Sequence, residues 1–139
     1  RLGWPGPKVP PEFPLVRAVN AVVPPRARVL APTEVSNWLV TERGHAYPLL
    51  AKEIYFDSLH AFLPLEDIAR RRALMDHVGG GRPARLPSPA FRAGLAEYAP
   101  AGVVLFASLP WATEARGDLA ASSYVPRLER FGYELWVRP

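Results

Sequence analysis

The stretch PPRARVLAPTEVSNWL (residues 24–39) decides how the chain is read. Pro24 and Pro25 stop whatever precedes them, because proline lacks the amide hydrogen and disfavours helix in the residue before it. ARVLA (27–31) is an aliphatic and β-branched run of strand length. It lacks clean alternation, so it reads as a strand covered on both faces. Pro32 then leads straight into a helix. Thr33 is a good N-cap for that helix, Glu34 sits at its positive end, and Val35, Trp38 and Leu39 share its inner face until Gly44 ends it. A strand that runs through a tight turn into a helix is the join at which many α/β proteins hold a phosphate or nucleotide.

Upstream, residues 1–14 are rich in proline and form an extended lead-in that Trp4 and Phe13 can pin to the domain. Val16, Val19 and Val23 place a short helix before the prolines. Downstream, YPLLA (47–51) is a second strand, with Ile54–Phe56 as its continuation beyond a charged interruption. PLEDIARRRALMDHV (64–78) is the clearest helix: proline suits its first turn, Glu66 and Asp67 complement its dipole, and Gly79 can cap it. GGGRPARLPSP (79–89) is a loop, after which Ser88 and Pro89 open the helix AFRAGLAEY. GVVLFAS (102–108) is nearly all apolar and belongs in mid-sheet. LPWATEARGDLAASS reads as a second long loop with at most one helical turn. Pro126 to Phe131 reads as a short helix stopped by Gly132, and YELWV (133–137) alternates as a half-exposed strand at the sheet edge.

This order of elements predicts an α/β fold. In detail it predicts a three-layer αβα domain over residues 15–139, with a small, four-stranded, mostly parallel, Rossmann-like sheet in the order 2-1-3-4.

The bulk composition fits one globular domain. The chain has 139 residues, is 49% hydrophobic and 22% charged, and is large enough to bury a real core. Cysteine is absent, which excludes disulfides, thiolate metal sites and cysteine nucleophiles. Of the 17 basic residues nearly all are arginine, and with 17 prolines and one Met the balance fits a thermophile with a GC-rich genome. The net charge of +4 is spread along the chain and is read as that bias, so no nucleic-acid partner is expected. The start at Arg1 rather than Met gives the expectation of a piece of a longer protein.

Each place where chemistry could sit has a competing plain reading. The APTE turn (31–34) lacks the glycines that let a backbone approach a pyrophosphate, so it is scaffold first, and otherwise a site where Thr33 and the helix amides hold a lone anion. VGGGRPAR (78–85) has glycines and arginines but no P-loop spacing. It is a surface loop, or else Arg82 and Arg85 meet an acidic ligand. Asp57 and His60, three apart, would share a helix face and could work as base and orienting partner, or simply bond locally. No G-x-S-x-G, H-x-x-x-H or H-E-x-x-H spacing occurs, so neither a serine elbow nor a metal site is expected, and no cofactor either. Arg71 and Arg72 fall on the two shoulders of the 64–78 helix, either snorkelling past the core or facing a ligand.

Taken together, NAVVPPRARVLAPTEVSNWLV, YPLLAKEIYF, an arginine-bearing helix, AGVVLFASL and LERFGYELWVRP resemble one known arrangement. It is the soluble domain that follows the transmembrane helices in bacterial polytopic membrane proteins of the GT-C glycosyltransferase type and related uncharacterised families. In those proteins the catalytic acids lie in loops between membrane helices, so the resemblance carries no catalytic residue onto this chain. It implies a non-catalytic binding or assembly domain on the extracytoplasmic side, packed against the transmembrane part of its own parent. A lipid-linked sugar or an acceptor is the ligand class it implies, with residues 1–14 as the linker. The rival expectation is a small free-standing cytoplasmic enzyme acting on an anionic small molecule. Asp57 and His60 would serve it as acid and base, and Arg71, Arg72 or Arg82 as the anion clamp.

Overall fold

The computed structural model describes residues 12–39, 47–50 and 63–139. Among these residues ten elements follow one another. They are α1 (Glu12–Val22), β1 (Arg28–Leu30), α2 (Thr33–Leu39), β2 (Tyr47–Pro48), α3 (Leu65–Val78), α4 (Ser88–Tyr98), β3 (Gly102–Phe106), α5 (Ala112–Ala121), β4 (Val125–Arg130) and β5 (Tyr133–Val137). The strands form one sheet in the order β2-β1-β3-β5-β4.

The fold is α/β, but the sheet is five-stranded and mixed rather than four-stranded and mostly parallel. β1 pairs parallel with β2 and with β3, whereas β3–β5 and β5–β4 are antiparallel. The reason lies in residues 125–130, expected to be helical and found as strand β4. β4 returns through Phe131 and Gly132 into β5 as a hairpin, and a hairpin pairs its strands antiparallel. The hairpin also moves Tyr133–Val137 from the expected edge to an interior position between β3 and β4. A second correction concerns residues 112–121, which form helix α5 instead of remaining in a long loop. The possible continuation at Ile54–Phe56 lies outside the described residues.

The sheet is covered on both faces. On one side α1 and α2 pack Leu15, Val19, Val35 and Leu39 against Val29, Val104 and Leu135. On the other, α3, α4 and α5 pack Leu74, Val78, Phe91, Leu95, Ala115 and Leu119 against Leu30, Val103, Leu105 and Trp136. Val103, Val104 and Leu105 are fully buried, which explains why β3 shows an unbroken apolar run where a half-exposed strand would alternate. Burial of each such side chain contributes about 1.5–3 kcal/mol.

The outer strand β4 carries devices that discourage pairing with another chain. Pro126 removes a donor, a register shift between Pro126 and Leu128 breaks the ladder, and exposed Arg127, Glu129 and Arg130 put charge on the edge.

Candidate functional site

In open α/β sheets ligands sit outside the carboxyl ends of parallel strands, where successive connections leave in opposite directions. Here that point lies between β1 and β3. The chain leaving β1 turns through α2 toward β2, and the chain leaving β3 turns through α5 toward β4 and β5.

The crevice is filled by the protein itself. Residues 79–87, between α3 and α4, form a strap whose first three residues lie across it. A Cβ on Gly79 would stand 2.9 Å from Pro32 Cβ, one on Gly80 would stand 2.7 Å from the Phe106 ring, and one on Gly81 would stand 3.2 Å from Glu34 Oε1. The three consecutive glycines are therefore what lets this loop lie against the ends of both strands. Glu34 Oε2 accepts hydrogen bonds from the Gly80 amide at 3.0 Å and from the Tyr133 hydroxyl at 2.8 Å. The APTE turn and the VGGGRPAR loop, read separately in the sequence, thus meet at one place.

Thr33 lies at this crevice but is exposed and is the first residue of α2 rather than its cap. The Pro32 carbonyl accepts from the Val35 and Ser36 amides, and Ser36 Oγ donates to the Ala31 carbonyl at 2.9 Å. The short serine side chain ties the strand to the helix in place of threonine.

The arginines divide. Arg72 and Arg82 are exposed, and both act electrostatically on Asp76 in the last turns of α3. Burial pushes the Asp76 carboxyl above its ordinary range; the two guanidinium groups oppose that shift and Glu34 adds to it. Arg71 faces elsewhere. Its Nε donates to Asp67 at 2.7 Å, its Nη1 donates to the Leu49 carbonyl at 3.0 Å, and its guanidinium lies 4.8 Å from the centre of the Tyr98 ring. It ties α3 to the chain just after β2 and to α4, apart from Arg72 and Arg82. Arg85, the other basic residue of the strap, is paired with Glu114. Asp57 and His60 lie outside the described residues.

Two polar groups that the sequence reading did not single out as site residues support the crevice. Arg116 of α5 grips Glu134 of β5 through Nε and Nη2, and its Nη2 also donates to the Ala107 carbonyl just beyond β3. This guanidinium holds the Glu134 carboxyl below its usual range. His77, at the end of α3, is 2% exposed. Its Nδ1 accepts from the Leu86 amide at 2.8 Å, while Nε2 is buried without a partner. The ring centroid lies 4.3 Å from that of Phe91 and 5.9 Å from that of Trp111.

No family model, no curated protein and no solved structure matches this chain. Among the described residues no three His, Asp or Glu side chains gather to hold a metal ion, and no helix is long and apolar enough to cross a membrane.

What the arrangement can do chemically follows from these contacts. The acidic groups at the strand ends are engaged in bonds that hold loops in place, and the Gly80 amide that could greet an anion already faces the carboxylate of Glu34. The site is built as a closed scaffold.

Proposed function

We propose that this chain is a non-catalytic binding or assembly domain of a larger, membrane-anchored, glycosyltransferase-like protein, placed on the extracytoplasmic side. The observation that carries the non-catalytic part is the filled crevice. Where an α/β enzyme of this kind would seat its substrate, the glycines of residues 79–81 and the Glu34 carboxylate occupy the space. The membrane-anchored parent rests on the resemblance of the motif order in residues 15–139. Its transmembrane part is the partner that reading names, with a lipid-linked sugar or its acceptor as the ligand class.

The test uses the complete gene product. The reading frame should encode apolar spans of roughly 18 residues or more, and the product should leave the membrane fraction only with detergent. Deleting residues 15–139 should impair assembly of the membrane part. A product that stays in the supernatant without detergent, and that needs nothing outside this domain to turn over a phosphorylated or carboxylated metabolite, would end the proposal.

One observation favours the rival reading of a small enzyme acting on an anionic molecule: exposed Arg72 and Arg82 both act on Asp76, which also feels Glu34 of the crevice. Under that reading Asp57 and His60 supply acid and base. Turnover that survives Asp57→Asn and His60→Asn would remove it.

A further inference from the structure

The strap over the crevice is fastened near both ends by side chains that accept its amide protons. Glu34 holds Gly80, and His77 holds Leu86. Between them the Ala84 amide donates to the Asp76 carbonyl, and Arg85 pairs with Glu114 of α5. The His77 fastening differs in kind from the others. Nδ1 can accept from Leu86 only while it carries no proton, so the neutral ring must hold its proton on Nε2. A second proton can enter only at Nδ1, where it would face the Leu86 N–H, donor against donor.

We propose that residues 79–87 form an acid-released strap in which protonation of His77 Nδ1 detaches Leu86. The inference does not depend on the assembly role proposed above.

The surroundings of the ring set the strap to stay closed at neutral pH. Phe91 of α4 and Trp111 before α5 pack on the imidazole, and the Trp111 indole N–H donates to the His77 carbonyl at 2.8 Å, fixing the end of the helix. The charged groups acting on the ring are Asp118 and Glu114 of α5, which favour the cation, and Arg85 of the strap, which opposes it. Asp118 is itself held by Arg92 of α4 at 2.8 Å. Burial outweighs both acids and pushes the imidazole down to about 4 from an ordinary 6.5.

With the strap open and the ring in water, the imidazole regains its ordinary affinity for protons. Linkage between those two values makes the opening equilibrium about thirtyfold larger at pH 5 than at pH 8. Opening the strap exposes far less of the chain than global unfolding, so the strap can open while the sheet stays folded. Opening moves Leu86, which lines a groove of about 250 Å³ between α3 and α4 together with Leu74, Ala90 and Gly94. Acid release therefore widens an apolar groove.

Amide hydrogen exchange on this chain, corrected for intrinsic rates, tests the device. Protection of the Leu86 amide should fall about thirtyfold between pH 8 and pH 5 through a local opening that does not respond to low urea, whereas Val104 in β3 exchanges through global unfolding and does respond. His77→Asn keeps an acceptor near the Nδ1 position and cannot be protonated, so it should retain Leu86 protection across the range. Leu86 protection that responds to urea as Val104 does, or that falls equally in His77→Asn, overturns the proposal. If His77→Asn does not fold, the pH profile of the unaltered chain decides. Leu86 protection must begin to fall near pH 6.5 and drop about tenfold per pH unit toward pH 4, and protection that stays flat over that range equally overturns it.

Discussion

Tyr133 donates its hydroxyl to Glu34 at 2.8 Å across 99 residues of sequence. The bond joins the first turn of α2 to the start of β5, and the same carboxylate oxygen holds the strap through Gly80. A hydrogen bond to a charged, half-buried carboxylate contributes about 1.5–3 kcal/mol. Tyr133→Phe and Glu34→Gln should each destabilise the domain in urea by about that amount. The pair should be clearly non-additive, because both act on the same bond, Tyr133→Phe by removing its donor and Glu34→Gln by removing the charge it reaches. Additivity within about 0.5 kcal/mol would mean the two side chains are not coupled.

His77 sets the acid limb of stability. The folded state holds the imidazole at about 4 against an ordinary 6.5. As pH falls, the unfolded chain therefore takes up the proton first. Stability from this group is full above pH 6.5, declines between 6.5 and 4, and is reduced by about 3 kcal/mol below that window. Denaturant midpoints measured from pH 7 to pH 4 should show this decline, and His77→Asn should flatten it. An unaltered slope in that variant would assign the decline to other groups.

The Arg116–Glu134 pair acts at a lower pH. Glu134 is held below its usual range chiefly by the hydrogen bonds from Arg116. Its contribution is therefore present above the ordinary carboxylate range and disappears only as pH falls through the lowered value. Arg116→Met leaves a mostly buried carboxylate without its guanidinium and frees the Ala107 carbonyl. At pH 7 it should cost about 1–3 kcal/mol, with a smaller cost near pH 3. Equal cost at both pH values would show that packing of the arginine stem, not charge, is what matters.

Helix α4 approaches α3 through Gly94. A Cβ there would lie 2.5 Å from Leu74 Cδ2 and 2.8 Å from Cδ1, and Leu74 is itself buried at 3% exposure. Gly94→Ala gains helix propensity worth about 0.8–1 kcal/mol, while overpacking costs about 1–3 kcal/mol. The overpacking should win, giving a lower melting temperature. A rise in that temperature would show that Leu74 has room to turn aside.

The β4–β5 turn holds Phe131 at φ 55 and Gly132 at φ 80. Both central residues are left-handed, the geometry that favours Asn-Gly, and a bulky residue in that region costs about 1–2 kcal/mol. Phe131 is also 58% exposed, so little packing offsets the strain. Phe131→Asn should stabilise the hairpin by about 0.5–1 kcal/mol and raise the melting temperature by a few degrees. A drop would reveal a packing role for the ring.

The residues that misled the sequence reading did so for identifiable reasons. FG in place of NG hides a two-residue hairpin turn, and Pro126 with Leu128 imitates the opening of a helix when it is the proline of an edge strand. In α5 the buried stripe is Ala112, Ala115, Asp118 and Leu119, three small or acidic side chains and one leucine, which carries almost no hydrophobic period. Glu34 was legible only as a complement to the helix dipole, and His77 only as a residue near a helix end.

By itself the sequence determined what neighbours along the chain enforce: the β1 strand between its prolines, the fully apolar β3, the acid-opened α3, the proline-started α4, and the absence of cysteine chemistry. These follow from backbone sterics and from side-chain spacing within one or two turns. Tertiary structure alone decided that β4 and β5 close the sheet antiparallel, that the glycines of residues 79–81 fill the crevice between β1 and β3, and that Glu34 meets Gly80 and Tyr133. Those contacts join segments 46 and 99 residues apart. They form only where packing brings distant surfaces to van der Waals distance, and no local propensity records which surfaces those are.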